Sequence, residues 1–172
     1  LTGKEKKSIK NVMILGGGKI GRGTVKTLCE KKFKVTLVEQ EKSKAYDIAE
    51  SYPEALVIHG DGRSVELLNE ESIEEMDAFI AVTENSETNI MSCLMANSKN
   101  VSKTIALVEN MDYFSLSQSI GIDTLINKKL LTANTMLNKL IYNLNLTVLP
   151  DVILGFWPVL SVMFIGFVIH LL

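Results

Sequence analysis

Val12-Met13-Ile14-Leu15-Gly16-Gly17-Gly18-Lys19-Ile20-Gly21 is the stretch on which the fold turns. Four consecutive apolar residues read as a short strand covered on both faces, and the glycines after them read as a sharp turn that opens a helix. In such a G-x-G-x-x-G run Gly16 permits the turn, Gly18 removes a side chain that would block a diphosphate, and Gly21 lets the helix pack closely on the strand. The free amides of the turn and the positive end of the helix dipole then face an anion. Glycine-rich turns occur in many loops, so this run takes its meaning from its surroundings.

Outward from it, the chain alternates short apolar runs with helical stretches, the pattern of parallel strands joined by crossover helices. Strands are expected at Val12–Leu15, Val35–Val38, Leu56–His59, Ala78–Val82, Thr104–Val108 and Thr124–Ile126. Helices are expected at Ile20–Lys31, Ser43–Ser51, Val65–Glu70, Thr88–Ser98, Tyr113–Ser119 and Thr132–Tyr142. The implied class is α/β, a Rossmann-like doubly wound parallel sheet of six strands. Right-handed crossovers give it the order 3-2-1-4-5-6, with ligands above the carboxyl ends of strands 1 and 4. Residues 11–143 form this domain, preceded by a linker remnant at 1–10 and followed by an apolar tail at 144–172.

The second strand runs into Glu39, close to the roughly 20-residue spacing at which an acid binds a ribose. A carboxylate there accepts from both ribose hydroxyls and repels a 2′-phosphate, favouring NAD(H) or a plain adenosine nucleotide over NADP. His59-Gly60-Asp61-Gly62 ends the third strand in a turn where backbone can approach a flat base. Asp61 either contacts base or ribose or is a turn aspartate bonding its own backbone. Thr83-Glu84-Asn85 ends the fourth, where Thr83 meets the diphosphate side or the stretch simply caps the next helix. Lys19, inside the glycine turn, is the better candidate for a phosphate partner; Arg22 reads as a solvent-facing helix residue.

Composition narrows the function. A formal net charge of −2 supplies no field for nucleic acid. Cys29 and Cys93 are far apart and read as small core residues in a reducing, cytosolic compartment. Leu1–Lys10 is lysine-rich with no apolar core, unlike a signal peptide. No tyrosine has a lysine four residues on, His59 and His170 form no triad, and no metal-ligand spacing occurs. Binding without turnover is the economical reading; the alternative is a fragment of an NAD-dependent oxidoreductase whose catalytic domain is absent. A redox-sensing transcriptional regulator would need a helix-turn-helix and a basic face, and neither is found.

Taken together, Val12 to about Tyr142 resembles the regulator of potassium conductance (RCK) family, and within it the second of the tandem RCK N-terminal-type domains of TrkA potassium-uptake proteins. The resemblance rests on the glycine run, on Leu56–Gly62, Asp77–Thr83 and Glu87–Asn89, and on Ile105–Val108, Gly121–Asp123 and Leu130–Ala133. It implies a non-enzymatic regulatory subunit that binds NAD or NADH, or ATP or ADP at the same site, and controls potassium uptake. It also implies a ring-forming homo-oligomer at the inner face of the plasma membrane, partnered by a TrkH-type potassium channel subunit. The cofactor-binding set is then Gly16, Gly17, Gly18, Lys19, Ile20, Gly21, Glu39, Gly60, Asp61 and Thr83. Lys19 stands where relatives often carry arginine, keeping the charge but losing the bidentate fork.

Ile90, Met91, Cys93, Leu94 and Met95 wrap more than one face of their helix, and Leu130, Ala133, Leu137, Leu140 and Ile141 recur beyond the last strand. Helices near 88–98 and 130–142 are therefore candidate subunit contacts, the alternative being helices folded back on their own sheet. The chain departs from the family at its ends: the upstream tandem half is missing, and Val152–Leu172 carries no formally charged residue. That tail is long enough to cross a bilayer. A membrane anchor, a buried hairpin or swapped segment, and a non-native continuation through truncation or a frame change are the readings it admits, the last slightly favoured.

Overall fold

The computed structural model describes residues 9–109 and 121–127. Their elements run β1 Asn11–Leu15, α1 Lys19–Glu30, β2 Lys34–Glu39, α2 Lys42–Ser51, β3 Leu56–His59, α3 Val65–Glu70, a 3-10 turn at Ile73–Glu75, β4 Ala78–Ala81, α4 Ser86–Ser98, β5 Lys103–Val108 and β6 Thr124–Asn127. The strands form one sheet of order β3-β2-β1-β4-β5-β6, and every pairing is parallel. This is the Rossmann-like order expected. The helices expected at 113–119 and 132–142, and the tail from 144, lie outside the described residues.

The sheet is apolar on both faces because each face has its own cover. Val12 and Ile14 of β1, with Leu37 and Ile80 beside them, pack under Val25 and Leu28 of α1 and Ile48 of α2. Met13 and Leu15 point the other way with Val38, Phe79 and Ala81, beneath Leu68 of α3 and Cys93 and Ala96 of α4. The side-chain period of two thus divides each strand between two cores, which is why strand sequences read as unbroken apolar runs. Cys93 lies wholly in the second core, and burial pushes its thiol up to about 12.

Carboxylates lock the amino-terminal edge. Asp77 Oδ2 accepts the backbone N–H groups of Lys10 at 2.9 Å and Asn11 at 3.0 Å, joining the start of β4 to that of β1. Asp123 Oδ2 accepts the Thr104 N–H at 2.9 Å, doing the same for β6 and β5. Strand starts are therefore held by side chains, and the carboxyl ends are left for loops.

The differences from expectation are at element ends. Helices α1 and α2 begin one residue early, at Lys19 and Lys42, and α4 begins at Ser86 rather than Thr88. Asn85 is the cap of α4, and Thr88 is the residue whose N–H it accepts, at 2.6 Å. A cap bonds two or three residues ahead, so the first strongly helical side chain is not the first helical residue. Strand β2 includes Glu39, β4 stops at Ala81, and the 3-10 turn at Ile73–Glu75 was not expected.

Gly16 has φ +104°, in the left-handed region open to glycine. At Gly21 the constraint is contact: a Cβ would stand 1.8 Å from the Gly16 carbonyl oxygen, while one at Gly23 meets nothing within 4 Å. Gly21→Ala is predicted to lower the unfolding free energy in urea by about 2–4 kcal/mol through this backbone clash. Gly23→Ala, on the same helix, is predicted to raise it by about 0.5–1 kcal/mol.

Candidate functional site

At the carboxyl ends of β1, β2, β3 and β4 lies a cleft of about 580 Å³, walled by Gly16 and Gly18, Glu39 to Glu41, Asp61 to Arg63 and Thr83 to Asn85, among others. The strands set its floor: Gly16 donates its N–H to Val38 O at 2.9 Å, and Val82 donates to Leu15 O at 2.8 Å. Beyond these bonds β1 and β4 lead into loops that turn to opposite faces of the sheet, leaving the crevice of a doubly wound fold.

Glu39 is its anchor. The residue is only 9% exposed; Oε2 accepts the Gly17 N–H, and Oε1 accepts the Glu41 N–H at 2.7 Å. Each carboxylate oxygen has a further acceptor position, so two remain for ligand hydroxyls. A Cβ on Gly17 would lie 2.8 Å from Glu39 Oε2 and 2.5 Å from Ile48 Cδ1. The middle glycine thus has no room for a side chain between Ile48 and the acid.

The glycine turn leaves α1 uncapped. Gly18 occupies the cap position with no side-chain bond, whereas Ser64 and Asn85 cap α3 and α4 with theirs. Apart from the turn's own adjoining backbone, nothing lies within 4 Å of the position a Gly18 Cβ would take, so the start of α1 borders open space on that side. Arg22 supports the turn from behind, with Nε 3.3 Å from the Gly17 carbonyl and a 3.6 Å ion pair to Asp47.

On the outer wall, Asp61 accepts from Arg63 through its backbone N–H at 3.0 Å, Nε at 3.0 Å and Nη2 at 2.7 Å. Those bonds hold the Asp61 carboxyl below the usual carboxylate range. Glu41 is likewise held low by Lys44, 2.7 Å away, and by the Ser43 hydroxyl. On the inner wall, Asn89 is fully buried and joins two strands: Oδ1 accepts from the Thr83 N–H at 3.0 Å and Oγ1 at 2.6 Å. Its Nδ2 donates to Thr83 O at 3.0 Å and Leu107 O at 2.8 Å.

Of the residues singled out from sequence, Gly16, Gly18, Glu39, Asp61 and Thr83 come together on the cleft wall. Gly17 lies buried behind it on Glu39, and Gly21 sits under Gly16. Gly60 donates its N–H to Glu39 O at 2.9 Å, below the cleft. Ile20 packs against the core, and Lys19 stands exposed as the first residue of α1, off the cleft wall. Sequence reasoning missed Lys44 and Arg63, the cations of the wall. The available signals were the Glu41–Lys44 spacing on a helix start and an arginine directly after a Gly-Asp-Gly turn.

The TrkA-N domain model matches residues 12–128. The chain is similar to the Trk system potassium uptake protein TrkA of Haemophilus influenzae, 36% identical over 131 residues. That match covers 76% of this chain but only 28% of the relative, so the chain spans a little over a quarter of it. Among solved structures, the TrkA-N domain of the inner membrane protein ybaL from Escherichia coli aligns with a TM-score of 0.65 at 16% identity, covering 78% of this chain and 98% of that one. The GsuK channel bound to NAD aligns with a TM-score of 0.60 at 17% identity, covering 71% of this chain and 22% of that one. These structural likenesses show the fold.

Asn89→Ala strips partners from the amide and carbonyl of Thr83 and from the Leu107 carbonyl. It is predicted to cost about 2–4 kcal/mol in urea unfolding. An unchanged midpoint would show that β4 and β5 hold the inner wall without it.

Proposed function

The chain belongs to the TrkA-N domain family, and from that premise we propose that it is a nucleotide-sensing regulatory segment of a membrane potassium-uptake system, taking NAD or NADH and admitting ATP or ADP at the same site. The observation that carries this reading is Glu39: a buried carboxylate with acceptor positions to spare, on the wall of the cleft and bonded to the glycine turn whose Gly16 and Gly18 line it too. The residues fit the ligand class. Amides at the uncapped start of α1 suit a diphosphate; Lys19, exposed beside that start and off the wall, contributes charge near the phosphate end rather than a contact. Glu39 accepts ribose hydroxyls and disfavours a 2′-phosphate at the same place.

When bound, the nucleotide supplies a bridge rather than a reaction. It spans the loops after β1 and β2 and reaches Thr83, from which α4 departs through Asn85. Helix α4 carries Met91, 65% exposed, on its outer side, with Leu94 and Met95 partly buried. Occupancy of the cleft is therefore passed to a helix with apolar surface to spare, which in a homo-oligomer is a subunit contact. The second contact foreseen, at 130–142, lies outside the described residues. A TrkH-type channel subunit at the inner face of the membrane is the proposed partner. Among the described residues no helix is long and apolar enough to cross a membrane.

A panel of NADH, NAD⁺, ADP, ATP and NADPH read by thermal unfolding tests this. The first four are expected to raise Tm by several degrees at saturating concentration, and NADPH by less. Gly18→Val, placed where nothing but the turn's own adjoining backbone is within 4 Å, is expected to keep the unliganded Tm and lose the rise. No shift with any nucleotide in the wild type overturns the reading.

A further inference from the structure

The turn after β3 was expected to meet the ligand through Asp61, yet both of that carboxylate's oxygens are engaged by Arg63. We propose that Arg63 is the residue this turn offers to the ligand, its guanidinium plane forming a platform for the purine base, and that Asp61 is its positioning residue. The inference rests on the nucleotide reading above and names which part of the nucleotide the outer wall takes.

Topology sets the direction. Parallel neighbours are spaced about 4.8 Å apart, and the order β3-β2-β1 places the ends of these strands side by side. A ligand with its phosphates on the amides after β1 and its ribose on Glu39 at the end of β2 moves outward by one strand. The group attached to the ribose continues the same way, towards β3. Glu39 is in register with His59, the last residue of β3, and Asp61 and Arg63 follow on the same cleft wall. The base end of the cleft is therefore bordered by the Asp61–Arg63 pair.

The chemistry of the pair suits that place. Arg63 Nε and Nη2 bond Asp61, and the Arg63 backbone N–H bonds the same carboxylate, so the guanidinium is closed into a short ring with its orientation set. The edge is used, which leaves the planar faces as the part of the group a ligand can meet. The side chain is 63% exposed, and a pair so exposed contributes little to stability by itself. A flat cation with one edge tethered stacks on an aromatic base at a low cost in side-chain freedom. Lysine cannot reproduce this, since an ammonium has charge but no plane.

Affinities for ADP and UDP, with NADH beside them, measured by calorimetry on wild type, Arg63→Ala, Arg63→Lys and Asp61→Asn, test the assignment. The wild type is expected to prefer ADP. Arg63→Ala and Arg63→Lys should both weaken ADP by roughly three- to tenfold while changing UDP by less than about twofold. Asp61→Asn should move the ADP-to-UDP ratio the same way by a smaller factor, with the unliganded Tm unchanged in all three. ADP binding whose preference survives in Arg63→Ala, or is kept by Arg63→Lys, overturns the platform and leaves the nucleotide site standing. A wild type that binds NADH but neither ADP nor UDP overturns the platform, and one that binds none of the three overturns both.

Discussion

A single buried carboxylate joins the three pieces of backbone that make the cleft. Glu39 ends β2, takes the Gly17 amide of the turn after β1, and takes the Glu41 amide at the start of α2. Hydrogen bonds to a charged acceptor are worth about 1.5–3 kcal/mol each, so this one side chain does much to set the shape of the turn. It also dictates sequence around it, because Gly17 has no room for a Cβ between Glu39 and Ile48. The same residue thus shapes the cleft and, on the proposed function, faces the ligand, so its removal is a structural change before it is a functional one.

The rest of the molecule separates holding from binding. Asp77 and Asp123 fasten strand starts at one edge of the sheet, with their oxygens on backbone amides. At the other edge α3 and α4 have side-chain caps, while α1 and α2, the helices that begin beside Glu39, have none. Asn89 ties the inner wall to β5, so the entry to α4 is rigidly linked to the cleft. On the proposed function, this link is the route from an occupied cleft to that helix.

Most of the fold was legible because it depends on local composition. Continuous apolar runs marked the strands, right-handed crossover logic ordered them, and both hold in the structure. Element ends were less legible because they depend on caps: Asn85 starts α4 two residues before the first residue chosen from periodicity. Within the cleft, Gly16, Gly18, Glu39, Asp61 and Thr83 could be named because a glycine turn and strand ends have fixed addresses in this topology. Gly17's dependence on Glu39, and the pairs Glu41–Lys44 and Asp61–Arg63, were not readable, since they arise from side-chain contacts that spacing does not encode. Asp61 shows the limit well: its position and a bond to its own turn's backbone, here the Arg63 N–H, were among the readings, and its engagement by the Arg63 guanidinium was not.

At 19.0 kDa the chain suits amide NMR, and an ¹⁵N titration with NADH addresses the central claim residue by residue. The account requires the largest shift changes at the amides of residues 17–21 and of Gln40 and Glu41, with smaller ones reaching Thr83 and the first turn of α4. Saturating NADH that leaves the glycine turn and the Glu39 neighbourhood unmoved, whether or not other amides shift, would contradict it.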